Sequence, residues 1–358
     1  MLALLPLSLQ NQDSEYMKGW FSLFRLSMLG WIAALSLAGA SHLNGQADGA
    51  HPAGGVQISQ QAGELRVEIG GQLFTVYHYA DVPRPYFYPV LGPDELPMTR
   101  HWPMEEAKDE EHDHPHHRGL WYAHGDVNGL NFWTEEKNFC KIVHDQFVKV
   151  QPGQEVGIIK STDKWLDHDG AVVCTDVRTM RFYNRPAAER MFDFDITLQA
   201  PPDKAVVFGD TKEGTMATRL AETMRLKHKD GPGEGHIVMS TGLRDQETWG
   251  KGADWCDYYG PVDGGPNGPE TLGLAIFDHP DNPRHPTTWH VRDYGLFAAN
   301  PFGLHDFEKK PKGTGDLTIA AGQSVTFRYR FYYHHGDEKQ AQVAARYQAY
   351  TAEKPGPD

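Results

Sequence analysis

Short runs in which apolar and polar residues alternate follow one another from about residue 57 to residue 334, separated by Gly, Pro, Asn and Asp. A period of two places successive side chains on opposite faces of a β-strand. In the run 191–196, Asp193 and Asp195 fall on one face and apolar side chains on the other. The pattern predicts strands at 65–69, 73–79, 141–150, 156–160, 172–183, 191–198, 205–208, 236–241, 272–277, 317–320 and 324–334. The last two flank a short turn and are predicted to form a hairpin.

Helical spacing is convincing at the C-terminus alone. Asp337 can cap a helix that runs to Tyr350, with Val343, Ala344 and Tyr347 on one side. Many strands with almost no helix indicate a mostly β fold, a large antiparallel β-sandwich with one C-terminal helix. We expect a single such domain over residues 55–352.

Two connections between the predicted strands, 81–138 and 242–270, are unusually long and rich in aromatic residues. Loops of this length are usually functional or disordered, and disordered loops are poor in Trp and Tyr. We therefore predict that both segments are folded and form the walls of a cleft.

Residues 1–47 have the pattern of a signal peptide. Lys18 and Arg25 precede the apolar stretch 26–38, and the small residues Ala38, Gly39 and Ala40 follow. Because this pattern begins cleanly at Met17, we predict that translation starts there. We expect an exported protein, periplasmic or extracellular, with no stable membrane insertion after cleavage, because the stretch is too short for a comfortable membrane span.

The formal net charge of −14 limits the classes of binding partner that are expected. An acidic surface repels phosphate backbones, so nucleic-acid binding is not expected, and the charge favours a saccharide or other neutral small molecule. The three cysteines allow at most one disulfide. The sequence has no Gly-x-Ser-x-Gly elbow, phosphate-binding loop or dinucleotide fingerprint, which argues against the common serine hydrolases, nucleotide-dependent enzymes and Rossmann oxidoreductases.

The segment 112–124 holds five of the nineteen histidines. Pro115 and Gly119 exclude a regular helix there. In an extended backbone His114 and His116 point the same way while His117 faces the other side. Two imidazoles on one face can bind a divalent metal, so His114 and His116 are candidate metal ligands. A divalent metal is the cofactor that the sequence suggests.

Proton transfer is the other chemistry open to this segment. His116 or His117 can act as acid or base near neutral pH, with Asp113 or Asp126 orienting the ring. Glu213, in a turn after a predicted strand, is the preferred partner carboxylate. The alternative is a solvated polar loop beside the acidic run 105–111.

Aromatic residues next to polar side chains suit a sugar, which needs a face for stacking and groups that bind hydroxyls. Such residues surround the tight turn at 124–129 and recur near 255 and 290. Each candidate can equally be structural. The predicted substrate-binding residues are Arg118, Trp121, His124, Asn128, Trp133, Trp255, His290, Arg292 and Asn300.

Five stretches together carry a family resemblance. They are Arg-Pro-Tyr-Phe-Tyr-Pro-Val at 84–90, Asp-His-Pro-His-His-Arg-Gly-Leu-Trp at 113–121, His-Gly-Asp-Val-Asn-Gly at 124–129, Trp-Gly-Lys at 249–251 and Trp-His-Val-Arg-Asp-Tyr-Gly at 289–295. The chain resembles the exported bacterial proteins catalogued as PmoA-like, often labelled "methane oxygenase PmoA", over nearly all of the predicted domain. At fold level it is also similar to the galactose-mutarotase-like supersandwich.

The resemblance implies an exported, sugar-related protein of unestablished function. Methane chemistry does not follow, because the methane monooxygenase subunit of that name spans the membrane many times. The leading hypothesis is an enzyme that performs His/carboxylate acid–base chemistry on a saccharide, as an epimerase, lyase or hydrolase. A non-catalytic glycan-binding envelope protein and, as the family label suggests, a metal-dependent oxygenase-like protein are the alternatives.

Overall fold

The computed structural model describes residues 54–136 and 139–353. The predicted signal peptide lies outside these ranges and stays a prediction. The strands, in chain order, are β1 Val56–Gln61, β2 Glu64–Ile69, β3 Gln72–His78, β4 Tyr86–Val90, β5 Leu120–His124, β6 Lys141–Gln151, β7 Val156–Leu166, β8 Val172–Tyr183, β9 Glu189–Gln199, β10 Val206–Phe208, β11 Gly214–Arg219, β12 Lys227–His228, β13 Gly231–Pro232, β14 His236–Met239, β15 Trp255–Val262, β16 Glu270–Asp278, β17 Trp289–Val291, β18 Leu296–Ala299, β19 Leu317–Ile319 and β20 Ser324–His335. The helices are α1 Leu304–Glu308 and α2 Val343–Ala352.

Two antiparallel sheets of eight strands form the sandwich. The first has the order β1-β2-β3-β4-β5-β11-β18-β17, and the second has the order β14-β15-β16-β20-β9-β8-β7-β6. Their inner faces share one apolar core to which both contribute large side chains, such as Trp121 and Phe74 from the first sheet and Phe192 and Trp165 from the second. The mostly β, antiparallel class with a C-terminal helix is confirmed.

Helix α2 covers part of the other face of the second sheet. Its Val343, Tyr347 and Tyr350 pack in a second apolar cluster with Phe277 and Tyr332. The helix begins at Val343, which corrects the predicted start. Asp337 instead closes a turn, its carboxylate accepting the backbone N–H groups of residues 339 and 340, and the positive φ of residue 342 separates this turn from α2.

The predicted hairpin between 317–320 and 324–334 is wrong. The turn exists, since the N–H of Gln323 donates to the carbonyl of Ala320 at 2.9 Å. However, β19 pairs with β10, whereas β20 pairs with β16 and β9. Alternation specifies which side chains share a face, but it does not specify the neighbouring strand.

The two long connections are folded, as expected, but they contain strands of the core. The segment 81–138 contributes β4 and β5, and 242–270 contributes all of β15. Every residue of β5 is buried, and the same is true of β11. A strand that is buried on both faces has no alternation, which is why the pattern did not reveal these two central strands.

Candidate active site

Arg100 organises the histidine segment. Its side chain is fully buried, and its guanidinium donates hydrogen bonds to four backbone carbonyls of the loop before β5. These belong to Trp102 (3.1 Å), Glu111 (3.2 Å), Asp113 (3.0 Å) and His114 (3.2 Å). The loop is therefore wrapped around one buried cation and held beside the end of β11.

Asp113 and His114 form a hydrogen-bonded dyad. The Nδ1 of His114 lies 2.7 Å from the Oδ2 of Asp113, and the His114 side chain is 40% exposed. Because an ionised carboxylate only accepts, this contact places the proton on Nδ1 and leaves Nε2 free. An oriented imidazole of this kind is the usual arrangement of a general base.

Two buried arginines fix the carboxylate of the dyad. The Nη2 of Arg219, at the end of β11, lies 2.8 and 3.1 Å from its two oxygens, and Arg100 binds it as well. Burial alone raises the pKa of Asp113, but the hydrogen bond from His114 and the two guanidinium groups outweigh it and hold the pKa well below its usual range. Asp113 is consequently ionised at neutral pH.

His114 adopts a left-handed backbone conformation, with φ of 43°. The chain turns back so that the N–H of His117 donates to the carbonyl of His114. The ring of His114 stacks on His117, with centroids 4.7 Å apart, and on Tyr294, with centroids 5.2 Å apart. The expectation that His117 faces away from His114 is wrong, because the segment is a turn and not an extended strand.

His117 is the inner member of the group. It is 1% exposed, stacks on Trp121, and lies with Nδ1 3.2 Å from the Nη1 of Arg219. Since a guanidinium only donates, Nδ1 is the acceptor. Burial, and then Arg219, lower the pKa of His117 well below its ordinary value. His117 therefore supports the site from below as a neutral ring that a ligand does not reach.

His116 remains half-buried next to the dyad, its ring centroid 5.8 Å from that of His114. Burial, and then the nearby Arg84, lower the pKa of His116 to about 3. The ring is neutral at physiological pH and can accept a proton or a hydrogen bond. His114 and His116, together with the exposed His112 further from the dyad, are thus the imidazoles of the segment that a small molecule can contact.

A second wall of the site comes from the segment that connects β17 and β18. Tyr294, half-buried, contacts both His114 and Arg219, whose guanidinium carbon lies 4.8 Å from the ring centroid. The guanidinium of Arg292 lies 5.1 Å from the same ring and 5.9 Å from that of Trp249. Trp249 and Arg292 line a groove of about 310 Å³.

Glu213 approaches the site from the turn before β11. Its carboxylate pairs with Lys212 and is 32% exposed. It also acts on Tyr294: burial raises the pKa of that hydroxyl, and the charges of Glu213 and Asp113 add to the rise, whereas Arg292 and Arg219 oppose it. Glu213 therefore lies on the same side of the molecule as the dyad, but it does not form a hydrogen bond to a histidine.

His290 reaches the edge of this region from β17. It is 2% exposed, and its Nδ1 donates to the carbonyl of Lys212 at 2.5 Å. Its Nε2 is buried without a partner. Burial lowers the pKa of His290 to about 3, so Nε2 is a neutral acceptor beside Trp249, whose ring centroid is 6.4 Å away.

Other predicted polar residues have structural partners elsewhere. Asp126 accepts the N–H of Gly129 and closes the turn. Asn128 accepts the N–H of Val207, Asn300 donates to the carbonyls of residues 211 and 212, and His124 is buried with Nε2 on the carbonyl of Gly209. The guanidinium of Arg118 is already paired, because both its Nε and its Nη2 donate to Glu135.

The three tryptophans predicted to stack on a sugar have no open face. Trp121 and Trp133 are 1% and 0% exposed and belong to the central core. Trp255 belongs to the cluster under α2, on the second sheet. Trp249 and Tyr294 are the half-exposed aromatic residues beside the dyad, and their place in the motifs at 249–251 and 289–295 was the available signal.

Among the described residues, His114 and His116 do not belong to a group of three or more side chains with metal-ligand spacing. Within residues 54–136 and 139–353, the group of three or more side chains with metal-ligand spacing is Asp94, Glu270 and His335, which does not include the histidine segment. The Nδ1 of His114 is already committed to Asp113. All three cysteines are buried and unpaired. None of the helices in the described part of the chain has the length and apolar character of a membrane span.

The model of the family of unknown function DUF6807 matches residues 64–348. No curated protein matches the chain. Among solved structures, it is similar to a protein described as a kojibiose phosphorylase from the human microbiome (9% identity, TM-score 0.32, 78% of this chain and 32% of that chain). It is also similar to a polysaccharide lyase (10%, TM-score 0.30, 79% and 33%) and to galactose 1-epimerase from Lactobacillus acidophilus (9%, TM-score 0.34, 79% and 98%).

The chain thus spans about a third of the phosphorylase and of the lyase. The PmoA label finds no counterpart among these matches. All of these likenesses are distant, and the function proposed below depends on the chain's own residues.

Proposed function

The chain belongs to DUF6807, a family of unknown function, and we propose that it is an exported carbohydrate-active enzyme in which Asp113 and His114 transfer a proton. The observation that carries this proposal is the 2.7 Å contact between Nδ1 of His114 and the carboxylate of Asp113. It orients a solvent-accessible imidazole whose Nε2 is free to take a proton from a substrate.

The charges around the dyad favour proton abstraction over glycoside hydrolysis. Arg219 and Arg292 lie against Tyr294, next to the reactive imidazole, where they would stabilise negative charge that develops on a substrate. Hydrolysis passes through a positively charged transition state and commonly needs two available carboxylates. Here Asp113 is committed to two arginines and Glu213 to Lys212. Epimerisation or elimination is therefore the preferred reaction type.

The surroundings of the dyad suit a saccharide. The partly exposed rings of Trp249 and Tyr294 offer apolar contact surface, and His116 and Arg292 offer an acceptor and a donor for hydroxyl groups. His114 would act as the base, and His116 would hold a hydroxyl or share the proton. Tyr294, whose ring stacks on that of His114, is a candidate for the returning acid.

The test is exchange of substrate C–H protons with solvent. Purified protein is incubated with a panel of sugars and sugar acids in D₂O, and ¹H NMR follows deuterium incorporation, epimers and unsaturated products. His114→Ala should lower the rate by about a hundredfold or more. His112→Ala is the matched control, because His112 belongs to the same loop but stacks on Trp102, 3.9 Å away, and does not contact the dyad.

Glycan binding without any exchange or turnover would contradict the proposal and support the non-catalytic alternative. Turnover that survives in His114→Ala would show that the dyad is not the proton-transfer group.

A further inference from the structure

Positive charge is concentrated around the dyad of a chain whose overall charge is −14. Arg100 and Arg219, both fully buried, share the single carboxylate of Asp113. Arg292 adds a third cation through its contact with Tyr294. These three guanidinium groups lie near the carboxylates of Asp113 and Glu213. Asp113 is shared by Arg100 and Arg219, and Glu213 pairs with Lys212, so Arg292 is the cation that a bound anion would pair with.

Arg292 is the cation that remains available. Among the described residues, no carboxylate forms an ion pair with it; its guanidinium instead lies over the rings of Trp249 and Tyr294. Of the acids that line the same groove, Asp245 accepts the N–H of Ile237 at 2.9 Å, and Asp293 makes no ion pair with Arg292. A guanidinium that lies over aromatic rings and forms no ion pair can donate its N–H groups to a planar anion.

The groove also offers acceptors, because the carboxylates of Asp245 and Asp293 line it. A ligand that matches this place carries a negative group for Arg292 and a hydroxyl that can donate to a nearby acceptor. A hydroxylated carboxylate meets both requirements.

We propose that the substrate is a sugar acid, whose carboxylate binds Arg292 while its ring lies against Trp249 and Tyr294. This inference rests on the proposed function, because it assigns the substrate class of the same site. It replaces the neutral ligand that the overall charge predicts, since a local cation cluster decides binding at contact distance whereas the net charge acts at long range.

The experiment compares D-glucuronate with D-glucose, which differ by a carboxylate in place of a hydroxymethyl group, by isothermal titration calorimetry. The wild-type protein should bind glucuronate at least about tenfold more tightly than glucose. Arg292→Ala should abolish this preference, and Arg292→Lys, which retains the charge without the fork, should retain part of it. Arg66→Ala is the charge-matched control, because Arg66 pairs with Glu68 on β2 and is not part of the groove.

Equal affinity for the two sugars, no detectable glucuronate binding, or a preference that survives in Arg292→Ala would overturn the inference. Tighter binding of glucose 6-phosphate than of glucuronate would overturn it in favour of a sugar phosphate. The two proposals fail separately. A glucuronate preference that depends on Arg292, without turnover of any sugar, would reject the enzyme and retain the ligand class. His114-dependent turnover of neutral sugars, without a preference for glucuronate, would retain the enzyme and reject the ligand class.

Discussion

Asp113 is the acceptor that three side chains share, those of Arg100, Arg219 and His114. Its neighbours His116 and His117 stay neutral beside it because burial lowers the pKa of each. One carboxylate therefore both pairs with two buried cations and selects the tautomer of the proposed base. Its replacement tests both roles at once.

Asp113→Asn should lower the exchange rate by about a hundredfold or more, because an amide can present a donor to Nδ1 and no longer fixes the tautomer. It should also lower the free energy of unfolding by roughly 3 kcal/mol, since two buried guanidinium groups lose their counter-ion. Urea unfolding and the D₂O assay measure the two effects. Asp109→Asn, at an 83% exposed side chain of the same loop, should change neither; a comparable loss there would argue that the loop responds to any loss of charge.

Residue types are enough to select a candidate segment, whereas the geometry of its side chains could not be predicted. The density of histidines, with Pro115 and Gly119 among them, drew attention to this segment and left Asp113 or Asp126 as the orienting group. That His114 is the ring bound to Asp113 depends on its left-handed backbone, and the cations come from Arg100 and Arg219, far apart in sequence. Residue types show which chemistry is available, but long-range packing decides which side chains meet.

Gly119 joins the histidine loop to the first sheet. Its φ is +54°, and a Cβ there would lie 2.0 Å from the carbonyl oxygen of Phe87. Its own carbonyl accepts the N–H of Arg219 at 2.8 Å. The close approach of this glycine to the start of β4 therefore also places Arg219 beside Asp113.

Gly119→Ala should destabilise the protein by about 3 kcal/mol or more, because the new methyl group meets backbone that cannot move aside. Gly129→Ala is the matched control: its φ is +82°, but nothing lies within 4 Å of an added Cβ, so it should cost about 1 kcal/mol from the left-handed backbone alone. Thermal and urea unfolding of both variants provide the comparison. Equal losses would show that conformation, and not the contact with Phe87, determines the need for glycine at 119.

Strands in which buried and partly exposed residues alternate were predictable from the sequence. In β2, Leu65, Val67 and Ile69 alternate with partly exposed residues, and the predicted limits fall within a residue of those observed. The pairing of β19 with β10 was not predictable, since it depends on which sheet edge is near in space. Alternation therefore predicts where a strand such as β2 lies in the sequence, but it does not predict which strand pairs with it.

Several buried histidines make the whole molecule sensitive to acid. Burial lowers the pKa of His124 to about 4 and that of His290 to about 3. In the unfolded chain a histidine has a pKa of about 6.5, so the unfolded state binds more protons between pH 6.5 and these folded values. The stability is present above pH 6.5 and is lost as the pH falls.

We expect the free energy of unfolding to fall between pH 6.5 and 4.5, with each such histidine contributing up to about 1.4 kcal/mol per pH unit. His124→Gln, which can still donate to the carbonyl of Gly209, should reduce this slope by about that amount. Urea unfolding at pH 7.5, 6.5, 5.5 and 4.5 tests it, and the two proteins should run parallel above pH 6.5. An unchanged slope in the variant would contradict the assignment.

His334 should affect the pH dependence of stability in the opposite direction, lowering the free energy of unfolding as the pH rises. Burial alone would lower its pKa, but the buried carboxylate of Asp257, 3.1 Å from Nε2, raises it above the ordinary value. The pair stabilises the fold fully below pH 6.5, and this contribution is lost as the pH rises through the folded pKa. His334→Gln should therefore remove part of the stability loss on the alkaline side. A wild-type protein whose stability does not fall there would count against the ion pair.

The bonds of Arg100 to four backbone carbonyls have a consequence for how the loop opens. To release residues 101–117, the molecule would have to leave a buried guanidinium without acceptors, at a cost that approaches that of unfolding the sheet beside it. We therefore expect the amide hydrogens of this loop to exchange at the rate of the central strands and not at the rate of a surface loop. The loop would also resist proteases until the entire domain unfolds. Resistance to cleavage in this loop would therefore report that the Asp113–His114 dyad is intact.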